Sequence, residues 1–203
     1  KLDGDARDEQ QLYDGTATNV TYAYDGTASN VTYQEATNFT PDLVWIKSRS
    51  HATSHELHDS VRGEPSRIST DSTAADPGTA NGFVSLTDNG FSLDGTGSGG
   101  EVNTSGRTYV AWCFNAGTDA AASNTDGDIT STVKANTAAG FSIVSYSGNN
   151  ASSATIGHGL NSAPELIFTK ARNFGAGWPT MVKTASASLY GLRLNSSSAN
   201  DAG

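Results

Sequence analysis

The chain has 203 residues, enough for one large or two smaller β-domains, and is rich in small polar residues and glycine (22 Gly). A net charge of −9 without a basic cluster argues against nucleic acid as a partner, because that binding needs Lys and Arg to neutralise phosphates. A single cysteine, Cys113, excludes an internal disulfide framework, and no apolar run approaches the ~20 residues that insertion into a membrane requires.

The first predicted elements lie in a short repeat. Residues 1–11 are charged and aperiodic, and we interpret them as a tail or connector. Segments 13–22 and 24–33 then carry nearly the same ten residues with a period of 11. Alternation of apolar and polar residues predicts strands here, and the Asp-Gly pairs predict turns between them.

The next elements also follow β patterns, with one exception. Strands are predicted at 43–49, at 108–114 and at two Gly-Phe segments joined by an Asp88-Asn89-Gly90 turn. Segment 51–63 is the one helix-like stretch, about one or two turns closed by a glycine. Trp45, Trp112 and Cys113 lie in apolar strands, so we expect their side chains in the core.

A longer repeat organises the whole chain. Pro-Asp-Leu-Val-Trp-Ile-Lys-Ser-Arg at 41–49 returns as Pro-Glu-Leu-Ile-Phe-Thr-Lys-Ala-Arg at 164–172, 123 positions later. Four positions are identical and four are conservative exchanges. Repetition at a fixed period indicates one supersecondary unit used more than once. Such β-modules typically build surfaces and shafts, whereas an active site needs unlike residues that converge once.

The repeats predict an all-β chain of repeated β-modules, in about one and a half copies. The predicted organisation is a first module at 12–117, a polar linker at 118–128 and a second, incomplete module at 129–203. Because the second copy stops before any counterpart of 82–114, we expect its remaining strands to come from a longer chain or a neighbouring subunit.

Two matched cationic pairs and one tryptophan are the candidate ligand-binding residues. Lys47 with Arg49, and Lys170 with Arg172, occupy corresponding positions of the two copies and could hold an anionic sugar or a carboxylate. Their duplication favours a structural role, such as pairing across a subunit interface or ending a strand in water. Trp178 lies in a glycine-rich loop, and we expect it to be exposed and able to stack on a sugar ring.

Two segments carry residues that could bind a metal. Asn124, Asp126 and Asp128 supply side-chain oxygens at alternate positions, as at the start of a calcium loop. The glutamate that completes an EF-hand is missing, and ordinary Asx-turns have the same pattern. His51, His55 and His58 could share a helix face, but without a fourth ligand a polar surface turn is the better interpretation. No cofactor is expected beyond a possible calcium ion.

Nothing in the chain predicts an enzyme. The sequence has no Gly-x-Ser-x-Gly nucleophile elbow and no phosphate-binding Gly-x-x-x-x-Gly-Lys-Ser/Thr loop. Its carboxylates are scattered in turns, so no glycosidase pair is indicated.

Several strings resemble a repeated domain of tailed-phage virion proteins, found in marine phages and cyanophages and of unknown function. They are the strand strings at 41–50, 90–93 and 108–114, the His-x-Leu-x-Asp-Ser-Val-Arg-Gly string at 55–63 and the strings within 125–146. The segment 158–170 also resembles a motif of phage tail-fibre proteins. Together they cover about residues 24 to 203. The resemblance implies that the modules are antiparallel β-sandwiches, lectin-like or jelly-roll-like, on the outside of a virion. It implies neither a catalytic residue nor a known ligand.

We therefore expect a structural virion protein, with a tail-fibre or adhesin role in host attachment as the leading hypothesis. A capsid decoration or head-fibre protein and a secreted carbohydrate-binding module are the alternatives. The expected partners are further copies of the chain, with a trimer favoured, other virion proteins and a host-surface glycan.

Overall fold

The computed structural model describes residues 39–63, 66–78, 82–94, 102–183 and 189–197, all within the unit Phe39–Gly203. The tail and the 11-residue repeat lie outside the described residues. In the described part the chain forms strands and no helix, which confirms the predicted all-β fold. The strands are β1 (Leu43–Ser48), β2 (Glu56–Asp59), β3 (Ile68–Ser69), β4 (Phe83–Thr87), β5 (Gly90–Leu93), β6 (Tyr109–Phe114), β7 (Ala122–Asn124), β8 (Ser131–Asn136), β9 (Phe141–Tyr146), β10 (Leu166–Phe168), β11 (Pro179–Lys183) and β12 (Leu189–Arg193).

The first sheet has the order β3-β2-β1-β6 with antiparallel pairs, and β1 lies between β2 and β6. The helix predicted within 51–63 is wrong, because β2 takes extended backbone there. Glu56 and His58 alternate with Leu57 and are almost completely buried. Pairing with β1 satisfies the β2 backbone, and hydrogen bonds between the buried polar side chains outweigh the weak helical pattern.

The hydrophobic core around β1 lies between the first sheet and the β4–β5 hairpin. Alternate residues of β1 are buried, with Val44 at 0% and Ile46 at 2% exposure, and they pack with Phe83 and Val102. The partly buried side chains around them are Leu86, Phe91, Leu93 and Tyr109. One face of β1 is thus covered by a hairpin, as expected for a half-buried strand of a β-sandwich.

A second antiparallel meander, β10-β11-β12, has the strand order of β1-β2-β3. Leu43 pairs with Asp59, and 123 positions later Leu166 pairs with Val182, so the first two strands of each meander share one register. Four hydrogen bonds outside the strand ladders also recur, between atoms 123 or 124 positions apart. They are Ser60 N to Asp42 O and Lys183 N to Glu165 O; Lys47 Nζ to Thr53 O and Lys170 Nζ to Ala176 O; His55 N to Asp71 Oδ1 and Trp178 N to Asn195 Oδ1; Thr70 N to His55 O and Leu194 N to Trp178 O.

The third sheet has the order β7-β8-β9 and joins the first through side chains. Lys134 of β8 forms an ion pair with the buried Asp42 at 2.6 Å, and Phe141 of β9 stacks on Phe114 of β6 with ring centroids 5.3 Å apart. Strand β7 lies inside the segment 118–128 and pairs with β8. The module boundaries given above stay a prediction.

The environment of β6 differs from the one expected. Trp112 is 46% exposed and Phe114 41% exposed, and Cys113 is also exposed, so the prediction that Trp112 and Cys113 lie in the core is wrong. Among the described strands β6 lies at the edge of its sheet, and the β4–β5 hairpin packs on β1 and leaves most of β6 uncovered. In the part of the chain that the structure describes, no helix is long and apolar enough to cross a membrane.

Candidate functional site

An exposed aromatic face is the most prominent surface feature of the described residues. It consists of the exposed Trp112, Phe114 and Phe168 and the half-buried Trp45 and Phe141, from four strands. The ring of Trp45 lies 5.7 Å from Trp112 and 6.4 Å from Phe168, so the aromatic face connects the first sheet to the second meander. These separations are typical of favourable aromatic pairs.

Exposure of this face continues along β10. Leu166, Ile167 and Phe168 are 52%, 39% and 46% exposed, so the strand presents apolar side chains in both directions. Scattered apolar side chains on a surface are ordinary, but a contiguous group marks an interaction site. The repeat gave no signal of this exposure, because β10 has the apolar sequence of a buried strand.

The two predicted lysines hold loops. Lys47 Nζ donates to the carbonyls of Ser48, His51 and Thr53 at 2.8, 3.3 and 3.0 Å. Lys170 Nζ donates to the carbonyls of Ala176 and Thr73 at 2.9 and 3.2 Å. Burial lowers the pKa of Lys170, as expected for an ammonium drawn out of water. Both lysines therefore have a structural use that fits the structural interpretation of the cationic pairs.

The two predicted arginines are exposed at strand ends. Arg49 is exposed, and its backbone N–H donates to Thr108 O at 2.7 Å. The side chain of Arg172 is 45% exposed and lies 3.6 Å from the Asp76 carboxylate and 3.4 Å from Ser145 Oγ. The two cationic pairs do not form one anion-binding site. Both lysines are bonded to loop carbonyls, and Arg172 lies beside the Asp76 carboxylate.

Trp178 is buried at 3% exposure, so the prediction that it lies on the surface is wrong. Its indole Nε1–H donates to the backbone carbonyl of Ser69 at 3.0 Å, and its backbone N–H donates to Asn195 Oδ1 at 2.8 Å. The ring therefore fastens the second meander to β3, and it offers no free face to a sugar. Trp112, predicted to lie in the core, has the exposed indole instead.

The candidate calcium segment closes on itself and on a neighbouring loop. Asn124 Nδ2 donates to Asp126 Oδ2 at 2.8 Å, and Asp126 N–H donates back to Asn124 Oδ1 at 3.1 Å. Asp128 Oδ2 accepts from the hydroxyl and the backbone N–H of Thr155, and these bonds lower its pKa. A Cβ at Gly157 would clash with the side-chain amide of Asn124, so a larger residue there would displace Asn124 from these bonds. The pattern of an Asx-turn describes this geometry well.

A buried polar cluster lies on the other side of the first sheet. His58 stacks on Phe83 with ring centroids 4.0 Å apart, and its nitrogens face Glu56 Oε2 and the carbonyl of Ser66, each at 3.2 Å. Arg67 pairs with the second Glu56 oxygen at 3.0 Å. The His58 ring is therefore held between the Glu56 carboxyl group and a backbone carbonyl, and its place in the fold is fixed by both contacts and by the stacking on Phe83.

A cleft of about 500 Å³ opens beside β1, with Asp42 and Lys134 among its lining residues. The Asp42 carboxylate is already bonded to Lys134 Nζ, Ser60 Oγ and the Ala116 N–H. Within the described ranges no three His, Cys, Asp or Glu side chains are grouped so as to hold a metal ion. The charged groups around Asp42 and Glu56 are bonded to their neighbours, and the aromatic face is left as the candidate functional surface.

These features define a class of protein, an all-β domain of small antiparallel sheets with an open aromatic face. A family model for a domain of unknown function, DUF7483, matches residues 16–203, and the chain belongs to that family. Comparisons with curated proteins and with solved structures found no match.

Proposed function

We propose that this chain is a structural protein on the surface of a tailed-phage virion, most simply a tail-fibre or adhesin component that takes part in attachment to the host. The open aromatic face is the observation that supports this proposal most directly. A protein that builds or decorates a particle needs apolar surface for its neighbours, and the described residues expose such surface on β6 and β10.

The two meanders add support. They share a register in their first two strands and four further hydrogen bonds, which fits a duplicated building unit better than a catalytic site. The lysine of each unit holds a loop, and Asp42 and Glu56 are bonded to neighbouring side chains, so these charged groups serve the fold. The resemblance of the sequence to virion domains points in the same direction.

Immunogold electron microscopy tests the proposal. Antibodies against this chain would be applied to purified particles from a culture that carries its coding sequence. Label at the tail tip or fibres is the expected result, whereas label distributed over the head would favour a capsid decoration or head-fibre role. Intact particles without label, in a preparation where an antibody to the major capsid protein labels normally, would contradict any virion role.

Contact with a host glycan is the finer part of the proposal. The exposed indole of Trp112 replaces Trp178 as the aromatic ring available for stacking on a sugar. Retention of the protein on host cells or on a glycan array, weakened by Trp112→Ala and unchanged by Phe174→Ala, is the expected result. Phe174 is a suitable control because it is 60% exposed and is not part of the aromatic face.

A further inference from the structure

We infer that the aromatic face binds an acidic glycan, with a sugar ring stacked on Trp112 and an acidic group of the glycan paired with Arg49. This inference deepens the proposed function and rests on it, since it names the class of host glycan that the open side of β6 accepts. It commits to one kind of partner, a polysaccharide that carries carboxylate, sulfate or phosphate groups.

Arg49 differs from the other members of the two predicted cationic pairs in that the fold does not use its charge. Lys47 and Lys170 donate to loop carbonyls, and the Arg172 guanidinium lies 3.6 Å from the Asp76 carboxylate. The side chain of Arg49 is exposed and has no bonding partner within the described ranges. A guanidinium in this position presents a planar fork of donors that matches a carboxylate, sulfate or phosphate group.

The strands that carry the aromatic face contain no acidic residue, although the chain as a whole is acidic. Neither Asp nor Glu occurs in β1, β6, β9 or β10, whereas the full sequence has 21 Asp and Glu residues against 12 Lys and Arg residues. An acidic ligand that approaches these strands therefore meets the Arg49 guanidinium and no carboxylate of theirs. Charge complementarity at this surface favours an anion.

Arg49 and Trp112 lie on the same side of the first sheet. Trp112 pairs with Trp45 across the β1–β6 ladder, and their ring centroids are 5.7 Å apart. Burial alternates along β1 with Trp45 on the open side, and Arg49 continues this alternation because its N–H still bonds to Thr108 O. Arg49 follows Trp45 by four positions, which corresponds to roughly 13 Å along a strand. A short oligosaccharide spans that distance, so one ligand can contact both groups.

The exposed rings beside this guanidinium supply the apolar part of the site. Trp112 is 46% exposed and Phe114, two residues further along β6, is 41% exposed. The C–H groups of a sugar ring pack against such an aromatic surface, while a small number of polar groups fix the orientation of the ligand. Trp45 contacts Trp112 from β1 with its ring tilted, so the stacking surface is supported from the neighbouring strand.

The small number of available cations decides which acidic partner fits. Nucleic acids and anionic membranes are bound by clusters of Lys and Arg, whereas the described part of the aromatic face offers the single unbonded guanidinium of Arg49. A polysaccharide presents its acidic groups one at a time, between uncharged faces of sugar rings. That pattern matches one guanidinium beside an exposed aromatic ring, and a host surface supplies such polymers.

Retention of the full chain on paired glycans tests the inference. The immobilised oligosaccharides would be oligogalacturonates with their methyl esters, and sulfated or phosphorylated oligosaccharides with their unmodified counterparts. We expect about tenfold stronger retention on the acidic member of at least one pair, as for a hydrogen bond to a charged group. The pair that shows the difference distinguishes a carboxylate from a sulfate or phosphate. Equal retention on acidic and neutral members would overturn the inference and leave the glycan contact of the proposed function intact.

A matched pair of arginine variants locates the acidic group. Arg49→Gln keeps a polar side chain and the backbone bond to Thr108, and it should reduce retention on the preferred acidic glycan about tenfold, to the level of the neutral counterpart. Arg172→Gln is the control from the second copy of the repeat, because its guanidinium is already held beside Asp76, and it should bind as the wild type does. Equal losses in the two variants, or no loss in Arg49→Gln, would overturn the inference.

Trp112→Ala separates stacking from charge. Because the ring contacts the sugar and not its acidic group, this variant should weaken retention on the acidic glycan and on its neutral counterpart by a similar factor, whereas Arg49→Gln affects only the acidic one. Unchanged retention of Trp112→Ala on the acidic glycan would place the binding site elsewhere and overturn the inference. A wild type that is retained on no glycan would also overturn it, while immunogold labelling would still decide the virion role separately.

Discussion

The two meanders of this protein have the same connections and different surroundings. β1 and β10 come from the repeated sequence segment and pair with their following strands in one register. Yet Val44 of β1 is 0% exposed, whereas its counterpart Ile167 is 39% exposed. The same pattern of apolar residues therefore gives a core strand in one place and an open strand in the other.

The difference shows which part of the structure depends on local sequence. Alternation and turn residues are sufficient to set the strands and their register. Burial needs further elements, and β1 has them because β6 lies beside it and the β4–β5 hairpin covers Val44 and Ile46. The comparison predicts that substitutions in the first meander affect stability, and that those in the second mainly affect association.

Loss of Glu56 should have the largest effect. Glu56→Ala removes a fully buried carboxylate that bonds to His58 and Arg67, and we expect a loss of about 3–5 kcal/mol in the free energy of unfolding. Glu165→Ala is the control from the second meander, since its carboxylate is 80% exposed and lies 3.7 Å from Lys183. That variant should lose less than about 0.5 kcal/mol. Urea denaturation measures both, and similar losses would contradict the comparison.

Truncation of equivalent aliphatic side chains should give the next largest contrast. Val44→Ala leaves a cavity in the core and should cost about 2 kcal/mol. Ile167→Ala, although it removes more atoms, should cost less than about 0.5 kcal/mol in dilute protein, because the side chain is already in contact with water. Thermal unfolding of both variants gives the values, and a larger loss for Ile167→Ala would show that β10 is buried in solution.

The loop-holding lysines should behave alike, which limits the comparison. Lys47→Met and Lys170→Met each remove charge-assisted hydrogen bonds to loop carbonyls, and we expect a loss of about 1–2 kcal/mol for either. Lys183→Met is the control, because its side chain is 39% exposed and its amine lies 3.7 Å from the exposed Glu165 carboxylate. If neither Lys47→Met nor Lys170→Met changed the free energy of unfolding, a ligand-binding role would be the better interpretation of these lysines.

The smallest expected effect concerns pH. Burial is the main cause of the lowered pKa of His55; Asp71 opposes it and Lys47 adds to it. The unfolded chain therefore takes up a proton near pH 6.5 that the folded chain resists, and stability contributed by neutral His55 is lost as pH falls below that value. Between pH 7 and 5 the free energy of unfolding should fall less in His55→Gln than in the wild type. If the free energy of unfolding of both proteins fell equally between pH 7 and 5, His55 would not contribute to the pH dependence.

Much of the fold could be predicted from the sequence, because its signals are local. The Gly-Phe starts around Asp88-Asn89-Gly90 became the β4–β5 hairpin, and the alternation at 43–49 became β1. Segment 56–59 was mistaken for helix because its polar residues are buried, and their partners, such as Arg67 for Glu56, come from other segments.

The candidate site was less predictable, because exposure depends on distant elements. Trp178 lies in a loop of small residues that suggests a surface position, but its indole reaches Ser69. Trp112 lies in an apolar strand that suggests the core, but no described element covers it. The loop lysines could be recognised from the repeat, but their carbonyl partners could not, because those carbonyls belong to irregular backbone.

The bond from Trp178 to Ser69 has a consequence for how the chain folds during synthesis. It joins residues 109 positions apart, and Lys170 reaches Thr73 across 97 positions. The carbonyls of Ser69 and Thr73 can therefore accept these hydrogen bonds only after Lys170 and Trp178 have left the ribosome. Contacts of such long range slow folding, and the apolar strands stay open in the meantime. Nascent chains of this protein should thus depend on chaperones more than their modest size suggests.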